Sequence, residues 1–348
     1  MSGALDVLLV SLGSTGGWRT ADEELAASLR RAGASTEVAC ALTPKQVRTF
    51  MLTDLAWARA ARVAADRALR AHEPRAIIYS TTTAALLWPR PGAIRFDAPA
   101  ARNRPGRHGL WQRPLERRRL AASPLLLPMS DGALRECPAG VVAPERTLVL
   151  PMPVEPSGAS EGERDIAAIT YAGNPAKKDT ARVIAAWGAA RTPSQELVVA
   201  GCEPEDLRSA GVDMSTCGAG VRVVGRLPAG QYRALLRRAR VFVCAPRRED
   251  HGIAQLEALA DGCLLVSAPA PGPYPALAIA AQLDERFVSV DLSAALRAAQ
   301  EMPEQALRDY RERARLALRP FTRASVDELV CEQLIARLLG RARAYAAP

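Results

Sequence analysis

Two glutamates, Glu249 and Glu257, stand eight positions apart in VFVCAPRREDHGIAQLEALADG (241–262), with Gly252 between them. VFVCAP reads as a buried strand, the glycine as a turn, and QLEALADG (255–262) as a helix stopped by Gly262. A chain that turns through glycine into a helix presents the backbone N–H groups of Gly252 and Ile253 at the positive end of the helix dipole. An anion such as a diphosphate can be received there. Glu257, two residues into the expected helix, can accept two hydroxyls through its two carboxylate oxygens. This pattern suits a ligand that carries both an anionic group and a polyhydroxyl body.

With Pro246 ahead of the first glutamate, Ala258 behind the second and Gly262 closing the helix, residues 241–272 resemble the nucleotide-sugar site of GT-B glycosyltransferases, especially the retaining family 4. The resemblance implies that Glu257 holds the ribose and that Glu249 contacts the hydroxyls of the transferred sugar or faces its reacting carbon. In ITYAGNPAKK the family's lysine is best matched by Lys178, with Lys177 beside it, and would neutralise the leaving diphosphate. The family's arginine after Gly173 is Asn174 here, which halves the positive charge expected on the phosphate. The loop at Arg226 and Leu227 corresponds to the place where such enzymes hold the base. In the first half, GSTGG (13–17), with Gly16 and Gly17, matches the glycine loop after the first strand, which approaches acceptor or phosphates. Its plain reading is a tight turn. Asp97 falls where the family has a His-Asp pair and is the candidate acceptor-side catalytic group. The histidine position is Phe96, leaving His108 to supply an imidazole from the following loop. Neither Gly-x-Gly-x-x-Gly nor Gly-Lys-Ser/Thr is present, which excludes a dinucleotide fingerprint and a P-loop.

The elements that must position these residues form two series. Strands are expected at 6–11, 36–42, 76–80, 92–96, 125–130 and 147–152, with helices closing on Gly33 and covering 54–71. The Pro-, Gly- and Ser-rich residues 153–165 read as a linker. A second series follows, with strands at 167–173, 196–201, 221–225, 241–246, 263–268 and 286–290 and helices at 177–191, 230–239 and 255–262. The expectation is an α/β protein of two doubly wound Rossmann-like domains facing a cleft, residues 1–152 on the acceptor side and 166–323 holding the nucleotide sugar. The amphipathic helix 325–343, part of a final segment 324–348, is expected to return to the first domain.

The 348 residues suffice for two cores, and no run of eighteen apolar residues is present. Seven scattered cysteines without a Cys-x-x-Cys pair fit a reducing, cytoplasmic setting. Three distant histidines and the lack of Asp-x-Asp argue against a metal site, and no cofactor beyond the nucleotide sugar as co-substrate is expected. The net charge of +9 is concentrated in residues 90–119, where nine arginines face only Asp97 and Glu116. This basic stretch, read as a loop, includes Arg117, Arg118 and Arg119. It suggests an acidic or lipid-linked acceptor and peripheral contact with an anionic membrane face. With only Phe96 and Trp111 interleaved and no motif, it does not suggest nucleic acid. The sequence leaves open a nucleotide-sugar epimerase or hydrolase of the same fold, and a non-catalytic binding protein.

Overall fold

The computed structural model describes residues 5–14, 16–43, 47, 49–158, 164–212 and 220–340. Thr15 of the glycine loop, 159–163 of the expected linker and 341–343 of the last expected helix lie outside them. The chain divides into two units, Met1–Pro153 with Pro320–Pro348, and Val154–Arg319.

The first unit is built on five parallel strands, β1 (Val7–Ser11), β2 (Thr36–Cys40), β3 (Ala76–Tyr79), β4 (Ala93–Phe96) and β5 (Leu126–Pro128), in the order β2-β1-β3-β4-β5. Strand alternation divides its core between the two faces. Leu8, Val10, Ile77, Tyr79, Ile94 and Phe96 pack with Ala61, Ala65 and Ala68 of the helix Phe50–Ala71, whose small side chains allow close approach. Val7, Leu9, Ile78, Leu125 and Leu127 pack with Leu25, Ala26 and Leu29 of the helix Gly16–Arg31. Val326, Val330, Leu334 and Ile335 complete this second cluster. They lie on a helical stretch capped by Thr322 and ended by Gly340 at φ 65°, with a π-helical turn at Val330–Leu334 in its middle. Asp327 fixes it laterally, accepting from Ser28 and bidentately from Arg31 at 2.7 and 2.8 Å.

The second unit repeats the plan with β6 (Ile166–Tyr171), β7 (Leu197–Ala200), β8 (Val221–Val223), β9 (Ala239–Cys244) and β10 (Leu264–Ser267), in the order β10-β9-β6-β7-β8, all parallel. β7, β9 and β10 are almost wholly buried apolar runs, as strands covered on both faces must be.

Two expected strands are not strands, for one shared reason. Leu148 and Leu150 donate to Leu126 and Pro128 of β5, but Pro128 has no N–H with which to donate back. Ser289 donates to Ser267 of β10, and the next partner, Pro269, likewise lacks a donor. Each segment therefore makes a single bridge, at Thr147 and at Val288. The arginine-rich stretch is also not a loop. It contains the helix Gln112–Ala122, whose buried face carries Gln112, Glu116 and Leu120.

Glu116 joins that helix to the turn after β4. Both of its carboxylate oxygens accept from the Ala100 N–H, at 2.8 and 2.9 Å. Burial pushes its carboxyl up to about 7, against the hydrogen bonds from Ala100, Thr82 and Ala101, which pull it down. A carboxyl raised on folding favours the folded state at low pH and loses that contribution as pH rises from its ordinary value through about 7. The first unit should therefore lose about 2–3 kcal/mol between pH 4.5 and 8 that Glu116→Gln does not lose. Denaturant titrations of both proteins across that range measure the difference, and parallel pH profiles would remove the role.

Candidate functional site

In the second sheet the chain begins at β6, steps out to β7 and β8, and then crosses to β9 and β10 on the other side. The neighbouring strands β6 and β9 thus form the topological switch point, where open parallel sheets receive ligands at their carboxyl ends. Lys178 follows β6 and Glu249 follows β9. The Lys178 ammonium donates to Oε2 of Glu249, and the Gln255 amide donates to the same oxygen at 3.2 Å. The two side chains are only 17% and 9% exposed, so the pair is largely withdrawn from water. The Arg247 N–H donates to the Lys177 carbonyl at 3.0 Å and ties the two loops together.

Local backbone constraints set this meeting. Asn174 caps a short helical turn, Pro175–Lys178, by accepting from the Lys177 N–H at 3.0 Å. Asp179 then adopts φ 48°, which separates that turn from the helix Thr180–Ala190 and corrects the continuous helix expected over 177–191. Asn174, in the family's arginine position, is thus a cap. Gly252 has φ 78°, and a Cβ on it would lie 2.7 Å from the Tyr274 ring. That ring is fixed by contacts of its hydroxyl with Cys244 Sγ and Ser267 Oγ, 3.4 Å each. Gly272, at φ 116°, lets its own backbone press against the Glu249 carbonyl, and the Glu249 N–H donates to Pro271 at 3.1 Å.

The helix after the turn is Ile253–Ala260, beginning two residues earlier than its sequence pattern suggests. Glu257 is therefore its fifth residue, one turn beyond Ile253 on the same face, and not near its first N–H. Burial raises the Glu257 carboxyl above its ordinary range, and Arg233 opposes that rise. The Arg233 guanidinium reaches Glu257 at 3.4 Å, Asp261 at 2.6 Å and the Glu155 carbonyl at 2.7 Å. Arg226 and Leu227 follow β8. The Arg226 side chain is 59% exposed and pairs with Asp206 at 2.5 Å, while its N–H donates to Glu203 at 3.2 Å. Leu227 is half-buried and Lys177 exposed.

The first unit holds the remaining candidates at the carboxyl ends of its strands. Gly16 and Gly17 are exposed and open the helix Gly16–Arg31. Beneath them Ser11 donates to Asp22 at 2.5 Å, and fully buried Arg95 donates to the Ala21 carbonyl at 3.0 Å. Burial raises the Asp22 carboxyl, with Arg95 opposing. Asp97 is half-buried and accepts from the Ala98 N–H at 2.8 Å. Alternation along β4 turns Phe96 into the core, 1% exposed, so the family's histidine position points away from the strand end. His108 is exposed and meets Phe50 edge to face at 6.0 Å.

The nine arginines do not act together. Arg90 donates to Pro74, Arg113 to Gly106 and Gly109, and Arg104 to Asp54. Arg119 donates to the Leu86 carbonyl at 2.9 Å and lies 5.0 Å over the Trp88 ring, an internal tie and not part of a free cationic surface. The Arg117 side chain reaches the Ala139 carbonyl, at 3.5 Å, and the side chains of exposed Arg102, Arg107 and Arg118 have no hydrogen-bond or ion-pair partner among the described residues. Sequence reasoning missed Gln255, Tyr274, Arg233, Asp261 and Gly272. Only Gly272 left a signal, the Pro-Gly pair after β10.

No curated protein matches the sequence. A family model described as glycosyl transferases group 1 matches residues 159–316. Among solved structures, the chain is similar to WaaG, a glycosyltransferase involved in lipopolysaccharide biosynthesis. Identity is 15% and the TM-score 0.70, over 97% of this chain and 100% of that one. Sucrose-phosphate synthase from Thermosynechococcus elongatus shares 16% identity at a TM-score of 0.67, over 97% and 100%. HepE from Anabaena, in complex with UDP and glucose, shares 14% at 0.64, over 95% and 99%. At such identities these structures establish the fold, two Rossmann-like domains of the GT-B kind. The segment that holds the Lys178–Glu249 pair thus lies within the match to the glycosyl transferases group 1 model, and the chain that carries it has the GT-B fold.

Proposed function

We propose that the chain transfers a sugar from a nucleoside diphosphate sugar to an acceptor hydroxyl, and that the Lys178–Glu249 pair at the switch point is where donor chemistry occurs. In this reading the diphosphate rests on the free N–H groups at the start of Ile253–Ala260 and on Lys178, the ribose on Glu257, and the sugar against Glu249. As the bond to the anomeric carbon breaks, charge grows on the departing diphosphate. A fixed ammonium and helix N-terminus stabilise that charge without a protein-bound metal. A carboxylate beside a diphosphate would be repelled, and Lys178 between them offsets that repulsion. The HepE complex makes UDP the first nucleotide to test. Retention of anomeric configuration is the outcome the family resemblance favours, and the anomer formed from a defined donor decides it.

Glu257→Gln should weaken binding of the nucleoside diphosphate by about 1–3 kcal/mol. Removing Arg233 should push the Glu257 carboxyl higher still. In Arg233→Met the loss of nucleotide affinity on acidification should therefore begin at higher pH than in the native protein, and Arg233→Lys should restore the profile. Calorimetric titrations read both effects, and unchanged affinity in Glu257→Gln removes it from the site.

Glu249→Ala should lower turnover on the order of a hundredfold with nucleotide affinity near native. Equal losses in both would show the two glutamates misassigned. Turnover of the donor without any acceptor would instead indicate an epimerase or hydrolase. Nucleotide binding without transfer would indicate a binding protein, the reading that the cap at Asn174 and the buried Phe96 favour.

On the acceptor side we assign Asp97 and His108, with Gly16 and Gly17 as the approach of the loop, and an acidic acceptor, lipid-linked or glycan, met by exposed Arg117 and Arg118. Arg117→Gln/Arg118→Gln should reduce transfer and flatten its salt dependence with donor binding intact. Native kinetics, together with native binding to anionic vesicles, would remove both the acidic acceptor and the membrane contact.

A further inference from the structure

At the opposite end of the first unit's sheet, where β3, β4 and β5 begin, lies a cavity of about 210 Å³ lined by Arg75, Arg90 and Arg337. Its floor is apolar, formed by Ile77, Leu125 and Leu338 among others. The three arginines come from three separate parts of the chain, and each is held by a backbone carbonyl. Arg75 donates to Leu339 at 3.1 Å, Arg90 to Pro74 at 2.7 Å and Arg337 to Thr147 at 2.7 Å. Asp6 pairs with Arg75 at 2.9 Å and is the carboxylate that meets them among the described residues. Each guanidinium is thus tethered by a backbone carbonyl while lining the same cavity. Each carries five N–H donors and spends one or two on the protein. Gly92 keeps the floor closed, because a Cβ there would lie 2.6 Å from the Ile77 carbonyl.

We propose that this cavity binds a phosphate or diphosphate group. Arginine forks match phosphate oxygens in pairs, and three of them around one pocket supply the charge that such an oxyanion needs. The bound anion would bridge Arg337, on the carboxy-terminal helix, to Arg75 and Arg90, at the start of β3 and before β4. It would thereby fasten that helix to the sheet it packs on. The site stands apart from the donor crevice and does not rest on the glycosyl-transfer reading. An apolar floor beside the cations also accommodates a body attached to the phosphate, so the group has two possible sources, a free inorganic anion or a phosphorylated sugar.

The test is calorimetric titration of the full chain at low ionic strength with inorganic pyrophosphate and, separately, with a hexose phosphate, in native protein and in Arg90→Gln/Arg337→Gln. Lys178→Gln runs alongside, to set aside any pyrophosphate taken up at the donor crevice. Saturable binding that survives Lys178→Gln, falls at least tenfold in the double variant and raises Tm only where both arginines are present supports the site. Tighter binding of the hexose phosphate names the phosphorylated sugar as its source, and tighter binding of pyrophosphate the free anion. Arg90→Gln alone, at an exposed position, guards against loss of folding in the double variant and should give an intermediate affinity. Absence of saturable binding in the native protein, or equal affinity in native and double-variant proteins that are both folded, overturns the proposal.

Discussion

A lysine and a glutamate held nearly out of water at the ends of adjacent strands constrain everything around them. Each charge, buried alone, would cost several kcal/mol, so the loops after β6 and β9 must deliver Lys178 and Glu249 to the same point. That delivery explains the local backbone. Asp179 takes a left-handed conformation, which Asp tolerates better than most side chains, and it ends the turn carrying Lys178. Gly252 and Gly272 take conformations and approaches that a side chain would forbid, one against the Tyr274 ring and the other against Glu249 itself. Special backbone conformations gather beside this one buried ion pair, and the topology puts it where parallel sheets bind ligands.

The ribose-side glutamate is held differently. Glu257 belongs to a helix and needs no special backbone. Its difficulty is electrostatic, because burial and the neighbouring Asp261 both favour its neutral form. Arg233 answers both carboxylates with one guanidinium and uses its remaining nitrogen on the Glu155 carbonyl, near the start of the second unit. The same fork thus sets the charge state of Glu257 and anchors residue 155.

What could be read from sequence follows from how far each cause reaches. The edge strands β2 and β8 are short and partly polar and were read from their place in the alternating βα series, whereas the inner strands were legible because strands covered on both faces are continuous apolar runs, a local property. The two segments that failed, at 147–152 and 286–290, have that composition, but the missing donor sits on the partner, at Pro128 and Pro269. The helix Gln112–Ala122 was obscured because its buried face includes Gln112 and Glu116, polar residues whose partners Asp54 and Ala100 lie elsewhere in the chain. The glutamate pair could be read from its spacing around a glycine. Arg233, 28 positions from Asp261, could not, since nothing in an arginine's neighbours in sequence tells which carboxylate it will meet.

The basic stretch shows the same limit most clearly. Nine arginines in thirty residues read as one patch, yet β4 runs through the middle of them. Four residues of strand span about 13 Å, so the residue before β4 and those after it emerge at opposite ends of the sheet. Arg90 therefore joins Arg75 and Arg337 at the amino ends, while Arg102 and Arg107 follow the carboxyl end, Arg117 and Arg118 lie on the helix that returns the chain to the start of β5, and Arg95 is consumed inside. The excess charge of the segment is real, but it contributes to two different surfaces. Its effect at either is set by how many forks remain after backbone carbonyls and carboxylates have taken theirs. By that measure the amino-terminal end, where three fixed guanidinium groups share one cavity, makes the stronger local demand for an anion, although the sequence drew attention to the other end.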